Sequence, residues 1–342
     1  MLALRRTGSV LARLIPYNLG LWRFEVSLAR PRLAKRYSSV SDKSETARLP
    51  DGRNLGFIKY GVPSGHPIFY LHGLPGSRLE GHLWNQEASA LGATIISLDR
   101  PGIGLSSPNC NRTLLSYAED IRHLAKQLGY QSYSLMGVSG GGPYALACAH
   151  SHTPESLRSV TLVCGMGPYG IDLQKMRLGN RVLFYCFQHF PWVVRLVARI
   201  SAAQLNNPKL SDDAFVEVLQ KKMSSRFRLN KVPSKDLEIL SDTDTMKSFL
   251  ASTREHFRQG TDAWMDEFRL VTSPAGFDLG AVRVPVQLWY GRQDINVPLS
   301  IGEEIARRLP AGVAEMHVED ETHISLVVNC RRRVLEDVLS RV

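Results

Sequence analysis

One serine of this chain stands where its surroundings would make it reactive. Gly137-Val138-Ser139-Gly140-Gly141 follows a β-branched and aromatic run, Tyr133–Met136, and precedes a helical pattern that contains Tyr144–Ala149. In a G-x-S-x-G turn between strand and helix the serine sits on a strained backbone, and the flanking glycines remove side chains that would collide across the bend. Such a serine can attack an acyl carbon, with Ser139 as the nucleophile. The competing reading is a glycine-rich helix entry that cradles phosphate, but the turn itself carries neither the GxGxxG spacing nor a Walker lysine.

Acyl chemistry needs backbone donors aimed at the oxygen that turns negative. One should be the amide after the nucleophile, Gly140. The other should come from a turn after an earlier strand. His72-Gly73-Leu74-Pro75-Gly76, after Ile68–Leu71, supplies such a turn, with the Leu74 amide as the best candidate. Read alone, the same residues are a tight turn with a buried histidine.

The serine also needs a base and an orienting acid. Of ten histidines, His323 lies in a loop after the candidate strand Ala314–Val318, where a side chain can lean over the carboxyl edge of a sheet. The acid should also follow a strand. Asp294 does so after Val286–Tyr290, whereas the stretch Cys164–Ile171 after Ser159–Val163 contains no carboxylate. Asp294 is therefore preferred, and the chain order becomes Ser, Asp, His.

These positions require a scaffold. From about residue 45, short runs (Leu55–Tyr60, Ile68–Leu71, Thr94–Leu98, Tyr133–Met136, Ser159–Val163, Val286–Tyr290, Ala314–Val318) alternate with helical patterns at Leu114–Leu128, Tyr144–Ala149, Ile301–Leu309 and Leu326–Leu339. This alternation predicts an α/β fold, a mostly parallel sheet flanked by helices. It breaks between about Gly165 and Gly280, where helical patterns around Val182–Ile200, Asp213–Met223 and Thr245–Phe257, punctuated by Pro191, Pro208 and Pro233, suggest a helical insertion.

Taken together, the His72–Arg78 loop, the Asp99-Arg100-Pro101-Gly102-Ile103-Gly104-Leu105-Ser106 turn, the Ser139 elbow, the Asp294 loop and His323 resemble, in order, an α/β-hydrolase-fold enzyme with a helical cap. The resemblance runs from about residue 45 to the C-terminus. It implies Ser139, Asp294 and His323 as nucleophile, acid and base. It also implies core segments at 45–165 and 281–342, with a cap at 166–280 shaping the pocket. The chain departs from the family pattern in two places: Thr322 stands where a glycine often precedes the histidine, and an extra Gly142 follows the elbow. Serine rather than aspartate at the elbow argues against epoxide hydrolases and haloalkane dehalogenases, which begin with carboxylate attack.

The expected activity is hydrolysis of a carboxylic ester, thioester or lactone of a small acyl substrate, with no metal or organic cofactor. Acyl transfer or carbon–carbon cleavage on the same triad is the enzymatic alternative, and a non-catalytic binding protein is the alternative from another class. Asp99 and Arg100 read as a structural turn tied by a local salt bridge. Arg78 reads as a loop anchor in preference to a substrate-carboxylate ligand. Phe184, Tyr185, Phe187, Phe190, Trp192 and Trp264 are candidates for pocket lining or for ordinary packing.

Charge and composition narrow the remainder. Of a net charge of +10, residues 1–40 carry +7, from eight basic residues and the single acid Glu25, which leaves an ordinary +3 and no sign of a nucleic-acid partner. Five cysteines without CxxC spacing suggest neither a disulfide framework nor a zinc site. Apolar runs are too short for a transmembrane segment. Met1, Leu4, Leu11, Leu14 and Ile15 share one side of a helix whose other side carries Arg5, Arg6 and Arg13, so residues 1–37 read as a mitochondrial transit peptide with a processing step near Arg36-Tyr37-Ser38-Ser39. A disordered or membrane-surface tail on a cytoplasmic protein is the alternative.

Overall fold

The computed structural model describes residues 43–171, 173–207, 211–227 and 233–342. The expected leader and its processing step lie outside the described residues. Eight strands, β1 (Ser44–Arg48), β2 (Asn54–Gly61), β3 (His66–Leu71), β4 (Ala93–Leu98), β5 (Tyr133–Val138), β6 (Leu157–Val163), β7 (Val286–Gly291) and β8 (Ala314–Glu319), form one sheet in the order β1-β2-β4-β3-β5-β6-β7-β8. The pairs β1/β2 and β2/β4 are antiparallel and all others are parallel, so the mostly parallel α/β sheet expected from the sequence is present.

Central strands such as β4 and β5 are buried along their whole length, because helices cover both faces. Side chains still alternate in direction. Phe69 and Leu71 pack on one face with Tyr117, Leu146 and Ile301, while Ile68 and Tyr70 pack on the other with Trp84, Val334 and Val338. Each such side chain removed from water contributes about 1.5–3 kcal/mol.

The helices in chain order are α1 (Asn85–Leu91), α2 (Leu114–Gln127), α3 (Gly142–Ser151), α4 (Leu178–His189), α5 (Pro191–Leu205), α6 (Asp212–Phe227), α7 (Ser234–Ser241), α8 (Thr243–His256), α9 (Asp262–Val271), α10 (Leu299–Arg308), α11 (His323–Asn329) and α12 (Arg331–Leu339). Six of them, α4 to α9, occupy the passage from β6 to β7, and among the described residues no strand interrupts them. They build their own apolar cluster around Phe187, Phe215, Leu250 and Trp264, against which Leu74 of the loop after β3 and Ile324 of α11 also pack.

Several expectations need correction. The helical pattern over Val182–Ile200, punctuated at Pro191, is two helices that break at Phe190-Pro191, because proline begins a helix readily and cannot continue one. Leu326–Leu339 is likewise two helices divided at Cys330, and the first already starts at His323. Strand β1 carries no strand signal in the sequence because Ser-Glu-Thr-Ala-Arg is a polar, largely exposed edge. The short helices α1 and α7, and α9, were also not anticipated.

Candidate active site

The chain goes from β3 to β4 on one side and from β5 to β6 on the other, which makes the carboxyl edge between β3 and β5 the switch point at which open α/β sheets form their crevice. Ser139 stands there, directly after β5, with φ of +49° in the left-handed region that serine rarely adopts. This sharp turn needs bare backbone around it. A Cβ on Gly141 would lie 2.3 Å from the Leu71 carbonyl oxygen. The third glycine has a similar cause: a Cβ on Gly142 would lie 2.3 Å from the Met166 carbonyl oxygen, so the start of α3 can press against the loop after β6 only without a side chain.

Asp294 follows β7. One of its oxygens accepts the Asn296 and Val297 amides at 2.7 and 2.9 Å, which fixes the carboxylate, and the other accepts His323 Nδ1–H at 2.7 Å. His323 Nε2 then lies 3.0 Å from Ser139 Oγ, placed to accept the hydroxyl proton. The three residues nominated from sequence thus meet in one hydrogen-bonded chain.

Thr322, the first departure from the family pattern, has a structural role. It caps α11, exchanging bonds with Ser325, and its hydroxyl donates to the Asp236 carboxylate of α7. The histidine is therefore held from its own helix and from the insertion.

The electrostatics of His323 set two effects against each other. Burial is the largest influence and disfavours the imidazolium, but the Asp294 carboxylate, with a contribution from neighbouring Cys164, raises the pKa well above the usual imidazole value. Cys164, the first residue after β6, also borders the ring, with Sγ 3.9 Å from Nε2. Burial pushes its thiol pKa up, so the thiol is neutral at ordinary pH. Cys164, Asp294 and His323 present ligand atoms within 4.8 Å of one another, the one such group among the described residues. Aspartate and imidazole are already spent on each other, an arrangement suited to moving a proton.

The two nominated amides adjoin. A Cβ built on Gly140 would stand 3.3 Å from the Leu74 nitrogen, so the loop after β3 lies directly on the elbow. That loop is braced from beneath. Arg100 donates to the His72 and Gly73 carbonyls at 2.6 and 2.9 Å, His72 Nδ1–H donates to Gly73 O at 2.8 Å, and Glu80 accepts the Gly73 amide at 2.8 Å. His72 is fully buried, as the tight-turn reading of its motif expects.

Asp99 and Arg100 do not form the local salt bridge expected of them. Asp99 pairs with Arg78 at 2.7 Å, and Arg100 lies 2.7 Å from Glu267 of α9, which also takes Arg112 at 2.9 Å. Residues distant in sequence supply the partners because the turn directs the two side chains to different neighbours. Arg78 is 2% exposed, and its guanidinium is divided among Asp99, Glu255 and Ser44. It anchors the loop and is not available to a substrate carboxylate. Of the nominated aromatics, Phe187 stacks on Phe268 and meets Trp264, while Tyr185, Phe190 and Trp192 face solvent. Cys164, Glu80, Asp236 and Glu267 were missed. Nothing in their local sequence marks them, since each acquires its neighbour only when the insertion and the loops close on the sheet.

The family model described as alpha/beta hydrolase fold matches residues 66–329. A Mycoplasma pneumoniae protein provisionally named a proline iminopeptidase is 28% identical over 279 residues, 77% of this chain and 86% of that protein. A shorter match, 30% identical over 118 residues, covers 34% of this chain and 31% of the dihydrolipoyllysine-residue acetyltransferase component of the acetoin cleaving system of Cupriavidus necator. Esterase RhEst1 of Rhodococcus sp. ECU1013 has a similar structure, with a TM-score of 0.57 at 19% identity, covering 88% of this chain and 100% of that one.

Proposed function

The chain belongs to the α/β-hydrolase fold family, and within it we propose that the protein hydrolyses a carboxylic ester through an acyl-enzyme on Ser139. The observation that carries this reading is the unbroken bonding from Asp294 through His323 to Ser139, at 2.7 and 3.0 Å. His323 Nε2 takes the Ser139 proton as Oγ bonds to the acyl carbon, and Asp294 holds the imidazolium in place. The Leu74 and Gly140 amides bind the oxyanion. Collapse breaks the acyl–oxygen bond, and the leaving alcohol takes the proton from Nε2. Water then attacks the acyl carbon, gives its proton to Nε2 and releases the acid, after which Ser139 regains its proton. The helices between β6 and β7 act as a cap over the crevice, and residues 1–37 act as a removable leader, which import of a fused reporter tests.

Cleavage of an N-terminal proline is the second reading, favoured by the relative that matches over 86% of its length. A substrate ammonium group would need a carboxylate to receive it. Three buried carboxylates among the described residues already hold donors of the fold: Glu80 holds the Gly73 amide, Asp236 holds Thr322, and Glu267 holds Tyr144, Arg100 and Arg112. This supports the ester.

Turnover of p-nitrophenyl acyl esters and of prolyl naphthylamide, measured side by side, tests the choice. Ester turnover that disappears in Ser139→Ala is expected. Faster release of the naphthylamine would transfer the assignment to the peptidase reading. An added alcohol acceptor reveals a transferase through its ester product, and folded protein that a fluorophosphonate cannot label would be a binder.

A further inference from the structure

Helices α4 and α5 are apolar on the wrong side. Their inner faces close the insertion's core through Leu183, Phe187, Val194, Ala198 and Leu205. A surface helix should then turn a polar face outward. Instead the outer stripe of α5 consists of Trp192, Leu196, Arg199 and Ile200, with Trp192, Leu196 and Ile200 exposed by 69%, 55% and 53%. On α4 the outer stripe carries Leu178, Arg181 and Tyr185. The two stripes join where Tyr185, His189 and Phe190 cluster, with the Tyr185 and His189 rings 4.3 Å apart. Of nine large hydrophobic side chains exposed among the described residues, six belong to this hairpin. Ile295 lies beside it, its carbonyl accepting the Arg177 amide just before α4. An exposed apolar patch so concentrated marks a contact surface.

Charge selects the occupant. Residues 178–205 contain three arginines and no acid. Arg195 pairs with Asp262, whereas Arg181 and Arg199 stand in solvent among the apolar side chains. Aromatic rings with an apolar body and a polar edge, aliphatic side chains between them and cations alongside suit the boundary between headgroups and acyl chains. No helix of the described residues is long and apolar enough to cross a membrane, so the hairpin would lie on the surface.

We propose that the outer face of the α4–α5 hairpin docks the protein on an anionic lipid bilayer. Because the same hairpin packs inward on the cluster that touches Leu74 and Ile324, docking sets the insertion between the membrane and the Ser139 crevice. An acyl substrate dissolved in the bilayer would then reach the site with a short path through water.

The test uses the full chain, sedimented with phosphatidylcholine vesicles with or without about 30% phosphatidylglycerol. Because the basic leader would itself attract anionic lipid, each variant carries it unchanged. Leu196→Glu with Ile200→Glu is expected to weaken vesicle binding by about tenfold or more. Bromine-labelled acyl chains should quench tryptophan emission, and Trp192→Phe should remove most of that quenching. Arg181→Glu with Arg199→Glu keeps the apolar contacts and should weaken binding to anionic vesicles more than to neutral ones. Melting temperature and soluble-ester turnover report whether each variant is folded. Binding that neither pair of substitutions changes, or Trp192 emission that the labelled chains leave untouched, overturns the proposal. So does a wild-type dimer that ignores vesicles and splits on Leu196→Glu with Ile200→Glu, which would give this face to a second copy of the chain.

Discussion

The hydroxyl of Thr322 donates to the carboxylate of Asp236, which joins the residue before His323 to a helix of the insertion. Asp236 also accepts the Ser325 amide at 3.3 Å, and its environment is buried. Helix α7 thus braces the turn that aims the imidazole at Ser139.

Removing this brace should affect the chemical step more than binding. Asp236→Asn keeps the shape but weakens two charge-assisted bonds. A small displacement of a positioned base costs rate steeply, so kcat is expected to fall about tenfold with KM changed far less, and Asp236→Glu should recover part of the loss. Steady-state kinetics on one ester decides this. An unchanged kcat in a folded Asp236→Asn would show that α7 only packs.

The pH profile carries its own sign. The base works only as neutral imidazole, and Asp294 holds the pKa of His323 well above its usual value of 6.5. Activity should therefore rise with pH through an inflection above that value. In Asp294→Asn the stabilising charge is lost, so the inflection should move to lower pH while the maximal rate falls by about ten-thousand-fold. A kcat/KM profile flat from about pH 5 to 8 would contradict a histidine base.

Stability should depend on Glu267. Its carboxylate is 1% exposed and stands between the Arg100 and Arg112 guanidiniums, both almost fully buried, with Tyr144 donating at 2.9 Å. Glu267→Gln leaves buried Arg100 without its counter-charge and Arg112 with only Asp266 at 3.9 Å, and the expected loss is about 3–5 kcal/mol. Because Arg100 also holds the His72 and Gly73 carbonyls, the oxyanion loop should loosen as well. Urea unfolding measures the first effect, and a loss below about 1 kcal/mol would mean that the cluster adapts without the carboxylate.

Much of this architecture is legible in the linear chain because it is written in local signals. Runs such as Ile68–Leu71 and Val286–Tyr290 can be read as strands, since β-branched and aromatic side chains suit a pleated, covered surface. The elbow shows itself because a turn as tight as that at Ser139 can be built only with glycine nearby. Asp294 and His323 follow from their places after strands, because side chains at one edge of a parallel sheet converge whatever their distance in sequence.

What the sequence by itself determined, then, was the sheet, the elbow and the identity of the three groups in contact. Tertiary structure alone decided what surrounds them: Asp99 with Arg78 rather than with its neighbour, Glu267 between two arginines, Asp236 under Thr322, and Cys164 against the imidazole. Backbone propensity and apolar periodicity act over a few residues and leave their mark in the local sequence. Pairing between buried charges depends on which elements happen to close on one another, and no short stretch of chain records it.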